Sequence, residues 1–195
     1  MTTHIALLRA INVGGRSIAM PALCELFAKL GFPGARSLLQ SGNVVFQSAA
    51  RSGGELERLL EAGTRERFGL EVDYVVRSAK EWEAVVAANP FPADAKRDPG
   101  HLLVVCMKHA PKASDVSSLQ VAIRGREVVR ARGQQLYCVY PDGVGRSKLT
   151  LSLIEKSLGT RGTGRNWNTV LKLAEMSRSA GDARPAPPKR RSARA

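Results

Sequence analysis

The sequence predicts an α+β protein of two ferredoxin-like lobes of the βαββα type, with a C-terminal helix and a disordered basic tail. Three observations carry this prediction. Apolar periodicities of two and of 3.6 residues alternate in the order βαββαβ over residues 1–77, the arrangement of a split βαβ unit. The order βαββα returns over residues 78–178 and ends in a helix opened by Trp167, the two lobes packing as one unit. From Ser179 onward (residues 179–195) the chain is rich in Pro, Arg and Ala and lacks an apolar pattern, the composition of a disordered segment.

Each element has a local reason. His4 to Arg9 reads as a first strand through Ile5, Leu7 and Leu8. After a loop through Gly14 and Gly15, Met20-Pro21 opens a helix, where proline suits the first turn. Leu23, Phe27 and Leu30 recur at helical spacing until Gly31. Gln40-Ser41-Gly42-Asn43 is turn chemistry between two strand-like runs, Ser37 to Leu39 and Val44 to Phe46. Glu55 to Phe68 forms the second helix, and Val72 to Val76 a closing strand.

In the second half Ser78 and Glu81 form a capping box before Trp82, Val85 and Val86. Asn89-Pro90-Phe91-Pro92 stops that helix, and a loop is expected to Gly100. Leu102 to Met107 is a strand, and Ser114-Asp115 start a short helix carrying Val116, Leu119 and Ile123. Glu127 to Ala131 and Gln135 to Tyr140 form a hairpin around Arg132-Gly133-Gln134. Ser147 is expected to cap a helix with Leu149, Leu153, Ile154 and Leu158, and Gly159 to Arg165 to be a glycine-rich loop.

Composition narrows the function classes. Hydrophobic residues make up 44% of the 195, enough for a core. No run reaches the roughly 18 apolar residues of a membrane span. Met1-Thr2-Thr3-His4 is not a basic signal-peptide start and Arg9 interrupts the apolar run, so a cytoplasmic protein without membrane partners is expected. Cys24, Cys106 and Cys138 form no C-x-x-C pair and read as buried reduced thiols; His4, His101 and His109 have no ligand spacing. Neither a metal nor a cofactor is expected. The net charge of +13 includes +4 from the tail, where Arg184, Lys189, Arg190, Arg191 and Arg194 face Asp182. A charge of this size attracts polyanions and also keeps a small protein soluble.

Four polar segments could carry chemistry. Arg9, Asn12, Gly14 and Gly15 lie where the first strand breaks into a loop, which can offer backbone N–H groups and a guanidinium to an anion. Arg165, Asn166 and Asn168 surround Trp167 at a helix start, where N–H groups and the helix dipole favour anions. Capping, turn formation and packing explain the same residues without a ligand. Gln40 and Asn43 stand on the hairpin turn with the same two readings. Arg146, Ser147 and Lys148 place cations at a helix start, a conflict with the dipole that a bound anion would relieve. No Walker loop, nucleophile elbow or paired carboxylates occur, and aromatics are too dispersed for an RNA-stacking sheet.

Taken in order, Leu7-Leu8-Arg9-Ala10-Ile11-Asn12-Val13-Gly14-Gly15, Gln40-Ser41-Gly42-Asn43-Val44-Val45-Phe46, Asn89-Pro90-Phe91 and Arg165-Asn166-Trp167-Asn168-Thr169 give the chain its resemblance. It resembles the bacterial domain-of-unknown-function 1697 family from about Thr3 to Met176. The resemblance implies an α+β protein with a ferredoxin-like part and no established activity. Family members usually lack the glycines of Gly162-Thr163-Gly164, and many carry asparagine where this chain has Leu151.

The functional expectation is binding of an anionic ligand, a phosphorylated small molecule or nucleic acid, at Arg9, Asn12, Gly14, Gly15, Gln40, Asn43, Arg165, Asn166 and Asn168. An enzyme acting on a small anionic substrate and a purely structural protein are the alternatives; no catalytic residue is nominated.

Overall fold

The computed structural model describes residues 1–11, 17–49 and 51–182. Strand β1 (Thr2–Leu8) shows how the layers arise. Successive side chains point to opposite faces, and both faces of this strand are apolar. Ile5 and Leu7 enter one core cluster, while Ala6 and Leu8 enter another. A strand buried on both faces must lie in the middle of a layered structure.

Helix α1 (Met20–Lys29) starts with Pro21 in its first turn and buries Leu23, Leu26 and Phe27. A hairpin of β2 (Arg36–Leu38) and β3 (Asn43–Ser48) follows. Its turn requires glycine at position 42: φ is +70°, and a Cβ there would stand 2.6 Å from Ile11 Cγ2. Helix α2 (Gly53–Phe68) opens on a Ser52–Glu55 capping box, and β4 (Tyr74–Ser78) completes a sheet of order β2-β3-β1-β4. Every pairing in it is antiparallel, with Ile5 opposite Val45 on one side and Arg77 on the other.

The expected Ser78–Glu81 capping box opens α3 (Ala79–Ala87). The segment read as a loop to Gly100 contains a short helix instead, α4 (Pro92–Arg97), begun by a proline in its first turn. Strand β5 (Leu102–Met107), helix α5 (Ala113–Ala122) and the hairpin of β6 (Val128–Arg132) and β7 (Gln135–Val139) follow the predicted order. Helix α6 (Leu151–Leu158) is capped by Thr150, whose hydroxyl accepts from the Leu153 N–H at 3.2 Å, and not by Ser147. The Ser147 hydroxyl accepts from the Leu149 N–H at 2.9 Å and donates to Glu127.

The largest departure is the glycine-rich stretch. Gly162–Asn166 is a strand, β8, paired antiparallel with β5. Glycine here permits close approach and not a turn. A Cβ on Gly162 would lie 2.7 Å from Met107 Sδ and 3.0 Å from the Cys106 carbonyl oxygen; one on Gly164 would lie 2.9 Å from Leu103 Cδ2. The second sheet therefore has the order β6-β7-β5-β8, the same as the first once its strands are renumbered. Helix α7 (Trp167–Asp182) follows directly and carries Ser179 to Asp182, which composition had assigned to the tail. The rest of that tail lies outside the described residues.

Alternation along β5 repeats the logic of β1. Leu102, Val104 and Cys106 face the same central cluster as Ile5 and Leu7, while Val105 and Met107 face a third cluster under α5 and α6. Between the sheets lie α3, with Trp82 and Val85, and α7, with Trp167, Val170 and Leu173. Burial of Cys106 and Cys138 pushes both thiols up, Cys106 to about 11, which leaves them protonated and inert. Cys24 is half-buried and also free. No described helix is long and apolar enough to cross a membrane.

Candidate functional site

The polar residues that stood out in the sequence meet at the seam between the two sheets. Arg165, on β8, is 7% exposed and reaches across to the first sheet. Its Nη2 donates to the carbonyls of Leu8 at 3.0 Å and Ser41 at 2.9 Å, and its Nε donates to Asn43 Oδ1. Its Nη1 donates to Thr163 Oγ1 and to the Gly164 carbonyl, both at 2.8 Å. Burial pushes this guanidinium down to about 10, so it remains charged at neutral pH. All its N–H directions are occupied by protein acceptors. Asn43, fully buried, returns its amide to the Leu38 carbonyl at 2.8 Å and Ser41 Oγ at 3.0 Å. The hairpin turn is thereby locked to β8.

Arg9 is fastened in the same seam. It forms a bidentate pair with Glu155 of α6, Nε to Oε1 and Nη2 to Oε2, both at 2.7 Å. Glu155 also accepts from the Gly162 N–H at 2.9 Å. Asp73 lies 3.9 Å from Arg9 and takes both oxygens' contacts from Arg161 at 3.0 and 3.1 Å. Burial works against the charge on Glu155, but the Arg9 and Gly162 hydrogen bonds and the nearby arginines hold its carboxyl below the ordinary value. A group depressed in this way stabilises the folded state above its unfolded pKa, and loses that contribution as pH falls through the folded one. Denaturation midpoints followed from about pH 7 to pH 3 should therefore fall more steeply in the wild type than in Glu155→Gln. Parallel curves would show that the pair contributes nothing to acid sensitivity.

Further along the seam Arg77, on β4, donates to the Met107 carbonyl at 2.7 Å. Lys108 returns the contact, bonding Glu61 at 2.5 Å and Glu57 at 3.2 Å. Neither residue was singled out in the sequence. A cation inside the apolar run of β4 was the available signal for Arg77, because arginine is rarely buried without partners. Glu155 gave no signal at all.

The remaining expected residues are scattered. Asn166 caps α7: its Oδ1 accepts from Thr169 N and Thr169 Oγ1, both at 3.0 Å. Asn168 and Gln40 are exposed. Asn12, Gly14 and Gly15 lie outside the described residues.

A cavity stands elsewhere, on the outer side of the second sheet between α5 and α6. It encloses about 400 Å³. Its floor is aliphatic, formed by Leu119, Ile123, Leu149 and Leu153. Arg124, Arg146 and Lys148 stand on its rim with Glu127 and Asp142. Glu127 is held by Ser147, and Asp142 is gripped by Arg126 in a two-point pair. Among the described residues Arg124, Arg146 and Lys148 have no ion pair, although Arg146 lies within the field of Asp142. A second, more polar hollow of about 280 Å³ is lined by charged groups that include Asp98 and His101, which bond each other at 2.8 Å. Among the described residues no three His, Cys, Asp or Glu side chains gather as metal ligands.

Comparison with known proteins places the architecture. A conserved bacterial protein from Streptococcus pneumoniae, known from its solved structure, is similar in fold, with a TM-score of 0.73 at 22% identity. The alignment covers 91% of this chain and 99% of that one. No curated protein matches the sequence. The Arg9 strand end and the Gln40–Asn43 turn both fall within residues 1–137, which match one family model, whereas the Trp167 segment lies beyond them. The chain belongs to the family described as Protein of unknown function (DUF1697).

Proposed function

We propose that this protein binds a small anionic molecule, and that the cavity between α5 and α6 receives it. The observation that supports this is the trio Arg124, Arg146 and Lys148, three cations without an ion pair among the described residues, at the mouth of a cavity of about 400 Å³. That volume falls within the range of small-molecule sites, and an apolar floor with a few polar groups is their usual lining. Its limited extent favours a small molecule over a nucleic-acid strand, which needs a long groove.

In this reading the signature residues act otherwise than as ligand contacts. Arg9, Asn43 and Arg165 serve as fasteners between lobes, since their polar groups already bond protein atoms. Residues 1–77 and 78–178 are the two lobes, and each is ferredoxin-like. The shared strand order, read as 4-1-3-2 within each lobe, supports that assignment.

The test is thermal melting of the full chain with a set of simple carboxylates and phosphomonoesters. A ligand at about 100 times its dissociation constant should add roughly 2.7 kcal/mol to stability. The gain should shrink in an Arg146→Ala, Lys148→Ala double variant and persist in Asn168→Ala. No shift with any anion, or equal shifts in the double variant, would remove the cavity from consideration.

A further inference from the structure

Resting on the α5–α6 cavity as the binding site, we infer that its ligand is an aliphatic anion: an acidic head on a saturated chain of medium length. Two features of the cavity lead there.

The first is the chemistry of the floor. Leu119, Ile123, Leu149 and Leu153 supply only branched aliphatic surface, and among the described residues no aromatic ring lines the cavity. A nucleobase or another planar ring would gain from stacking and from hydrogen bonds to its edge. Apart from the rim cations and the Ser157 hydroxyl, the polar side chains within reach are already engaged. Ser147 and Glu127 bond each other, and the Ser147 hydroxyl also accepts from Leu149 N. The Leu149 carbonyl is taken by Tyr140 Oη at 3.0 Å. The floor therefore rewards a group that asks for no hydrogen bonds, and a methylene chain is such a group. Leu153 is 43% exposed without a ligand, so a chain lying against it removes apolar surface from water.

The second is the charge of the rim. Arg124, Arg146 and Lys148 stand there with Glu127 and with Asp142, whose charge Arg126 already pairs, so the rim carries an excess of positive charge. A negative head matches that excess. The chain's own terminal segment is an unsuitable occupant on the same ground: residues 183–195 carry five cations and no acid.

Calorimetric titration of the full chain with acetate, butyrate, hexanoate, octanoate and octylammonium tests the assignment, with inorganic phosphate as a head-group control. Affinity should rise about fourfold for each methylene that enters the cavity, then level off once it is full. Octylammonium should not bind. Leu153→Glu, at a position already partly in water, should abolish the dependence on chain length while the melting temperature without ligand stays near that of the wild type. Lys148→Ala should weaken all the acids by a similar factor. Equal affinity across the acids, binding of octylammonium as strong as that of octanoate, or an unchanged length dependence in Leu153→Glu would each overturn the assignment. The two levels of the argument separate. Binding of phosphate or acetate without any gain from a longer chain defeats the aliphatic class and leaves the anion site standing. Binding of no anion at all defeats both.

Discussion

Arg165→Ala is expected to lower stability by about 3–5 kcal/mol, the summed cost of leaving several buried acceptors without a donor. The guanidinium joins the carbonyls of Leu8 and Ser41, the side chain of Asn43 and its own strand at Thr163 and Gly164. Truncation to alanine leaves these acceptors in a seam too buried for ready hydration, and each unsatisfied group costs roughly 1–3 kcal/mol. Relaxation and entering water offset part of that sum. Arg165→Lys should recover little, because an ammonium cannot span acceptors arranged for a planar fork. Arg9→Ala should cost less, since its side chain is 26% exposed and its partner can be rehydrated. Urea denaturation of the three variants measures the order. A loss below about 1 kcal/mol for Arg165→Ala would show that the seam does not depend on this residue. The same variant separates the two readings of the motif, because a side chain kept for ligand contact would lose binding and leave the fold as stable as before.

The second large effect is expected at Trp82. Its side chain is fully buried between the two sheets, in the cluster that also holds Ile5, Leu7, Tyr137 and Trp167. Its Nε1 donates to the Val170 carbonyl at 3.0 Å, tying α3 to α7. Trp82→Ala should cost about 3–5 kcal/mol through lost burial and the cavity left behind. Trp82→Phe keeps much of the apolar volume and gives up the hydrogen bond, so its loss should be nearer 1–3 kcal/mol. The cluster is shared by both sheets, so both should unfold in one transition with a lower midpoint. Two separated transitions in Trp82→Ala would contradict a common core.

Much of this architecture is readable without coordinates, and the reasons are local. Ser52 with Glu55 and Ser78 with Glu81 announce two helix starts because the box satisfies N–H groups within one turn. The Gly42 turn is legible because glycine tolerates the positive φ that the hairpin needs. Strand β8 is not legible in this way. Gly162 and Gly164 look like loop residues, and only contact with Leu103 and Met107 reveals why side chains are excluded there. Helix α4 is hidden in the sequence because Asn89-Pro90-Phe91-Pro92 reads as a stop, although the second proline also begins a helix.

The candidate site divides along the same line. Arg165, Arg9 and Asn43 attract attention as polar residues in apolar surroundings, but their partners cannot be guessed. Arg9 and Glu155 are 146 positions apart, and Arg165 and Asn43 are 122 apart. The cavity was only half visible: Arg146, Ser147 and Lys148 stood out as a cationic stretch, while Arg124 and the aliphatic floor did not. Sequence alone determined the class of the fold, the order of most elements and the family, because periodicity, caps and turns act over a few residues. The tertiary structure decided which polar groups are consumed in joining the two sheets and which still face solvent. A guanidinium has the same chemistry in both cases, and only the acceptors that folding brings to it determine whether it can still meet a ligand.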